Sequence, residues 1–124
     1  MTLTILHAED DRLVAGAVRL TLEAEGWRVV TRADGKAALD ELAGPAPYAL
    51  LVTDNELPRL GGVELIGCAQ MLRHRSGMPV VMLTAGDCER EARRAGADAY
   101  LTKPEGVREL VPTIKRLLGS GRAS

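Results

Sequence analysis

The chain has 124 residues, with sixteen Lys and Arg against seventeen Asp and Glu, a formal charge of −1. That length fits one domain, which can bury about two-thirds of its unfolded surface without a metal or disulfide staple. Near-neutral charge and only 2% aromatics (Trp27, Tyr48 and Tyr100, no Phe) argue against base-stacking platforms and against electrostatic capture by nucleic acid or an anionic membrane.

The pattern then alternates five times. A first apolar run at 3–8 (LTILHA) reads as a buried strand, and 12–25 places Val14, Ala17, Val18 and Leu22 at helical spacing before the stop at Gly26. A second strand is expected at 27–31 (WRVVT), followed by a helix at 34–42 that starts on an Asp cap and ends before Gly44-Pro45. A third strand at 48–53 (YALLVT) precedes a helix at 63–74. A fourth strand at 79–83 (PVVML) precedes a short, polar helix at 88–95, where Arg90, Arg93 and Arg94 read as a solvated face. The fifth strand at 99–102 (AYLT) leads to a helix at 107–118, with Pro112 inside it. Pro112 removes a backbone donor, so that helix is expected to start late or to bend between residues 108 and 112.

Four of the five strands lack polar alternation, which suits strands covered on both faces. Short connections through helices make the sheet parallel, with helices on both sides. The last residues read as a tail or the start of a linker, dividing the chain into a domain at 1–119 and a segment at 120–124. Cys68 and Cys88 form no CxxC and no basic segment leads into an apolar stretch, so a reduced, cytoplasmic setting is expected. No run approaches the roughly 18 apolar residues of a membrane helix.

In open sheets of this kind the functional crevice lies at the carboxyl ends of the strands. The first strand ends in Glu9-Asp10-Asp11, the third in Asp54-Asn55-Glu56, the fourth in Thr84 and the fifth in Thr102-Lys103-Pro104. Crowded carboxylates must take up a proton or bind a cation. Oxygen ligands without His or Cys favour a hard ion such as Mg²⁺ over Zn²⁺. Acids, a hard metal, a lysine and a hydroxyl make a phosphoryl-transfer constellation, and an Asp carboxylate is itself a competent nucleophile. Each residue taken alone has a blander reading, as a helix cap, a strand-end Thr or a solvated Lys. His7 lies mid-strand and reads as a buried neutral imidazole with one hydrogen bond; Trp27, Cys68 and the methionines read as packing.

Four segments in order carry a resemblance: 5–11 (ILHAEDD), 50–62 (LLVTDNELPRLGG), 80–86 (VVMLTAG) and 95–104 (AGADAYLTKP). Over nearly its whole length the chain resembles the receiver domain of two-component response regulators. The resemblance implies a doubly wound α/β fold, flavodoxin-like, with five parallel strands in the order 2-1-3-4-5 flanked by five helices. It implies that Asp54 is phosphorylated by a sensor histidine kinase or a histidine phosphotransfer protein. Asp10, Asp54 and the backbone carbonyl of Glu56 would hold Mg²⁺ (or Mn²⁺), with Glu9 helping indirectly. Lys103 would pair with Asp54, and Thr84 and Tyr100 would form the switch. The Lys103–Pro104 peptide would be cis. An effector would read the face made by the fourth helix, fifth strand and fifth helix, with no membrane and no direct nucleic-acid contact.

Three departures stand out. The stretch from Thr84 to Lys103 is about one helical turn shorter than the family pattern, which places a short fourth helix on the output face. Pro112 is the second departure. The third is Glu56, whose acidic side chain would either repel the phosphoryl group or orient a water. Two competing readings are a pseudo-receiver that binds without phosphorylation and a small aspartyl-phosphate hydrolase. The hydrolase reading lacks a cap domain to cover a substrate.

Overall fold

A computed structural model describes residues 2–120. Its elements are β1 (Thr4–Ala8), α1 (Arg12–Glu23), β2 (Arg28–Arg32), α2 (Gly35–Ala43), β3 (Leu50–Thr53), α3 (Gly62–Gln70), a single 3₁₀ turn (Arg73–Arg75), β4 (Val80–Thr84), α4 (Glu89–Ala95), β5 (Ala99–Thr102) and α5 (Gly106–Ser120). The five strands form one parallel sheet in the order β2-β1-β3-β4-β5. β3 and β4 are buried along their whole length, as runs without polar alternation require.

Side-chain alternation along each strand splits the core into two layers. Leu6 and Ala8 of β1 join Leu51, Val80 and Met82 under α2, α3 and α4. Ile5 joins Leu50, Val52, Val81 and Leu83 under α1 and α5, through Val18, Leu22, Leu110 and Ile114. With no Phe in the chain, these aliphatic side chains fill both layers.

Element boundaries fall within a few residues of the sequence reading, and the largest difference has a tertiary cause. Apolar spacing carries α3 to residue 74, yet the backbone turns extended at Leu72. The following 3₁₀ turn brings Arg75 against the end of α2, where Nε and Nη2 donate to the carbonyls of Leu42 and Gly44 (2.9 and 2.9 Å). Capping one helix from outside, with the cation at its negative end, outweighs one more turn of another. α4 has 7 residues, about two turns, in keeping with the shortened segment. Arg93 is spent on an i,i+4 pair with Glu89 (2.9 Å), as befits a solvated face.

Two expectations need correction. α5 starts at Gly106 and Pro112 lies within it, so the late start is not seen. The helix runs to Ser120, and residues 121–124 lie outside the described residues. His7 is 1% exposed, as expected, but neither ring nitrogen has a hydrogen-bond partner. By alternation it shares the face of Ile5, which is lined by aliphatic side chains. Its register partner on β2, Thr31, also carries a buried hydroxyl without a partner.

Candidate functional site

Parallel pairing of β1, β3, β4 and β5 puts their carboxyl ends on one edge, where β3, β4 and β5 end in threonine and β1 is followed directly by Glu9. Asp54 follows β3, the central strand, and is 6% exposed. Its Oδ1 accepts the amides of Asn55 (2.6 Å) and Glu56 (3.3 Å), and its Oδ2 accepts from Lys103 Nζ at 3.0 Å. Burial by itself raises the Asp54 carboxyl. The adjacent Thr84 hydroxyl, the Lys103 ammonium and the Glu56 amide outweigh it, leaving the group anionic below the usual range.

Glu9 is buried at 2% exposure and Asp10 beside it is exposed. Oxygens of Glu9, Asp10 and Asp54 lie within 4.8 Å of one another. Such an all-carboxylate set fits a hard divalent cation such as Mg²⁺. Burial pushes Glu9 up, against the lowering effect of Lys103 and the Asp11 amide. Lys103 also feels burial first, which lowers it, but its two carboxylate partners carry it above its ordinary value. The peptide joining it to Pro104 is cis, as the resemblance implied.

Thr84 is fully buried at the end of β4, and its Oγ1 accepts the Gly86 amide at 3.2 Å. Tyr100 on β5 donates its hydroxyl to the Gly86 carbonyl (2.8 Å) and accepts the Cys88 amide (3.0 Å). Tyr100 and Thr84 are thus tied to the same loop between β4 and α4. The Glu56 side chain is exposed. Its Oε2 lies 3.9 Å from where a Cβ on Gly86 would stand, and Thr84 Oγ1 lies 3.6 Å from that point. The carboxylate therefore leans over the Thr84–Gly86 corner of the rim.

Glu9, Asp10, Asp54 and Lys103 meet directly, and Thr84, Glu56 and Tyr100 gather around the loop after β4. Two further contributors were not read from the sequence. Asn55 accepts the Val63 amide at its Oδ1 (3.0 Å) and the Gly62 amide at its carbonyl (3.0 Å), capping α3 where Gly61 has no side chain to do so. The missing cap residue before α3 was the available signal. Gly62 is the other: a Cβ there would collide with the Asp54 carbonyl oxygen and lie 2.8 Å from Asn55 Cα. The start of α3 thus packs against the backbone that carries Asp54.

The sheet order defines a doubly wound α/β domain, with an acidic, lysine-bridged rim at the carboxyl ends of its strands. Residues 5–115 match the family described as the response regulator receiver domain. The chain belongs to that family and is a receiver domain of two-component signalling. Among curated relatives, the response regulator MprA of Mycobacterium bovis is 39% identical over 121 residues, covering 95% of this chain and 51% of the relative. SphR of Synechococcus elongatus, an alkaline phosphatase synthesis transcriptional regulatory protein, is 37% identical, with 92% and 48% covered. The chain thus spans about half the length of the curated relatives it matches. Among solved structures, a CheY-like receiver domain protein from Methanospirillum hungatei superposes with a TM-score of 0.89 at 31% identity, covering 98% and 97% of the two chains. The receiver domain of the sensor histidine kinase PA1611 from Pseudomonas aeruginosa, with magnesium in its active site cleft, gives 0.87 at 26% identity, with 96% and 99% covered. No helix among the described residues is long and apolar enough to cross a membrane.

Proposed function

We propose that this domain, residues 1–119, accepts a phosphoryl group on Asp54 from the phosphohistidine of a sensor histidine kinase or histidine phosphotransfer protein, in a Mg²⁺-dependent and cytoplasmic reaction. The observation that carries this reading is Asp54 itself: an anionic carboxylate at the end of the central strand, bonded to Lys103 at 3.0 Å and flanked by two more acids. An Asp54 oxygen attacks phosphorus; the P–O bond forms as the P–N bond breaks, and the imidazole nitrogen keeps the electron pair. Asp10, Asp54 and the Glu56 carbonyl would hold the magnesium ion, which when bound neutralises charge on the phosphoryl oxygens. Lys103 offers an ammonium to the same oxygens, so catalysis is mainly positioning and electrostatics.

The added charge biases the switch. Thr84 releases the Gly86 amide to donate to the phosphoryl group, and the Tyr100 hydroxyl, bonded on either side of that loop, follows it. The response reaches the α4–β5–α5 face, where an effector protein or domain reads it. Leu13 and Leu20 on α1, 87% and 73% exposed, offer a partner apolar contact.

Incubation with Mg²⁺ and acetyl phosphate, followed by intact mass, is expected to add one phosphoryl group to the parent chain and none to Asp54→Ala. A pseudo-receiver would gain none in either form, and a hydrolase would turn over many phosphoesters. Glu56 leaning over Thr84 suits a carboxylate that takes a proton from attacking water. Glu56→Asn should therefore lengthen the acyl-phosphate lifetime, on the order of tenfold, below the usual general-base range because the side chain is exposed. An unchanged or shorter lifetime in a phosphate-release assay removes Glu56 from dephosphorylation.

A further inference from the structure

Phosphoryl transfer is placed at the carboxyl ends of the strands. At the opposite end of the sheet, before β3 and β4, the chain holds a buried cation without a counter-ion. Arg75 is 8% exposed and forms no ion pair among the described residues. Its Nε and Nη2 donate to the Leu42 and Gly44 carbonyls, and the guanidinium lies over the Tyr48 ring, 5.4 Å from the centroid. Nη1 has no hydrogen-bond partner among the described residues, yet it is not sealed from solvent. Glu41, in the last turn of α2, cannot serve: its two oxygens are taken by the Tyr48 hydroxyl (2.7 Å) and by Arg32 (2.9 Å). A charge taken out of water is costly until an opposite charge meets it.

Arg75 also lines an open cavity of about 370 Å³, at the small end of the roughly 300–1,000 Å³ range of ligand pockets. Tyr48, Met78, Pro79 and Leu117 supply apolar walls. His74 is at the wall too, but its Nε2 is spent on the Leu42 and Gly44 carbonyls (2.9 and 3.0 Å). One unspent N–H of a fixed guanidinium beside apolar walls suits a single carboxylate on an apolar body. A phosphate dianion calls for a cluster of donors instead. We propose that this cavity binds a small organic monocarboxylate, whose carboxylate accepts from Arg75 Nη1 while its body lies against Tyr48, Met78 and Leu117. The site is separate from the acidic rim and does not depend on Asp54 being the phosphoacceptor.

The whole chain is titrated, without Mg²⁺, with phenylacetate and 2-naphthoate and with the neutral amide of each. ¹H–¹⁵N spectra follow the amides of Ala49, Ser76, Gly77 and Met78 and the Nε–H of Arg75. At least one acid should move these signals to saturation with a dissociation constant on the order of 1 mM, and its amide should bind about tenfold more weakly, the worth of one charge-assisted hydrogen bond. Met78→Trp fills the cavity and leaves Arg75 in place, so it should abolish the shifts with the fold retained. Arg75→Met removes the charge and should bind acid and amide alike; since it also uncaps α2, the acid–amide comparison on the parent stands whether or not this variant folds. The inference is overturned if neither acid moves these signals well above that concentration, if the shifts fall at the Asp54 rim instead, if acid and amide bind the parent equally, or if folded Met78→Trp binds as the parent does. Arg75 would then serve only to cap α2.

Discussion

Gly62→Ala should lose about 3 kcal/mol of folding stability, at the upper end of what overpacking costs. The added Cβ meets the Asp54 carbonyl oxygen and sits 2.8 Å from Asn55 Cα, so backbone rather than a side-chain tip stands in the way. Either α3 moves off the sheet or the end of β3 shifts, and the second displaces the phosphoacceptor. Phosphorylation by acetyl phosphate should therefore fall together with the urea midpoint. Gly67→Ala supplies the contrast within the same helix. Nothing lies within 4 Å of its Cβ position, so the helix preference for Ala should raise stability by about 1 kcal/mol. Equal midpoints for the two variants would remove Gly62 from the architecture of the site.

Acid should begin to destabilise this protein below pH 6.5, and His7 is the cause. Burial first, and then the Lys103 ammonium, push its imidazole from 6.5 down to about 4, with Asp54 opposing. The unfolded chain takes up a proton below pH 6.5 that the folded chain refuses until about pH 4. The His7 contribution to stability therefore falls with pH across that window, by about 3 kcal/mol, and levels off below it. Asp54, held below its ordinary range, adds a further loss at still lower pH, while Glu9, held above its own, works the other way. His7→Leu isolates the term. The variant should match or exceed the parent at pH 7, because two nitrogens without partners are replaced by a methyl-rich side chain. Its advantage should widen by about 3 kcal/mol on going to pH 4. Urea midpoints at the two pH values measure this, and an advantage that stays constant would mean that His7 does not carry the acid limb.

The chemistry at the strand ends was legible because those residues stand next to unmistakable apolar runs. Asp54 follows LLVT and Lys103 follows AYLT, so finding the strand also finds the residue. Other features were hidden. The Glu9–Lys103 pair joins residues 94 apart in the chain, and no local pattern speaks of it. The end of α3 was misplaced because the carbonyls of Leu42 and Gly44, some thirty residues earlier, draw Arg75 out of the helical path. His7 was expected to find one hydrogen bond because most buried polar atoms do, and only the packed layer around it shows that none is within reach.

What the sequence determined by itself was the number of strands, the burial of the central three on both faces and the kinds of side chain at the strands' carboxyl ends. Periodicity reports which side of an element is covered by apolar neighbours, and turn residues report where it stops. What only the tertiary structure decided was which neighbours those are: Lys103 against Glu9 as well as Asp54, Gly62 against the backbone of Asp54, Glu56 over Thr84. Those pairings depend on lateral order and register across four parallel strands, and a linear pattern of apolar and polar residues contains neither.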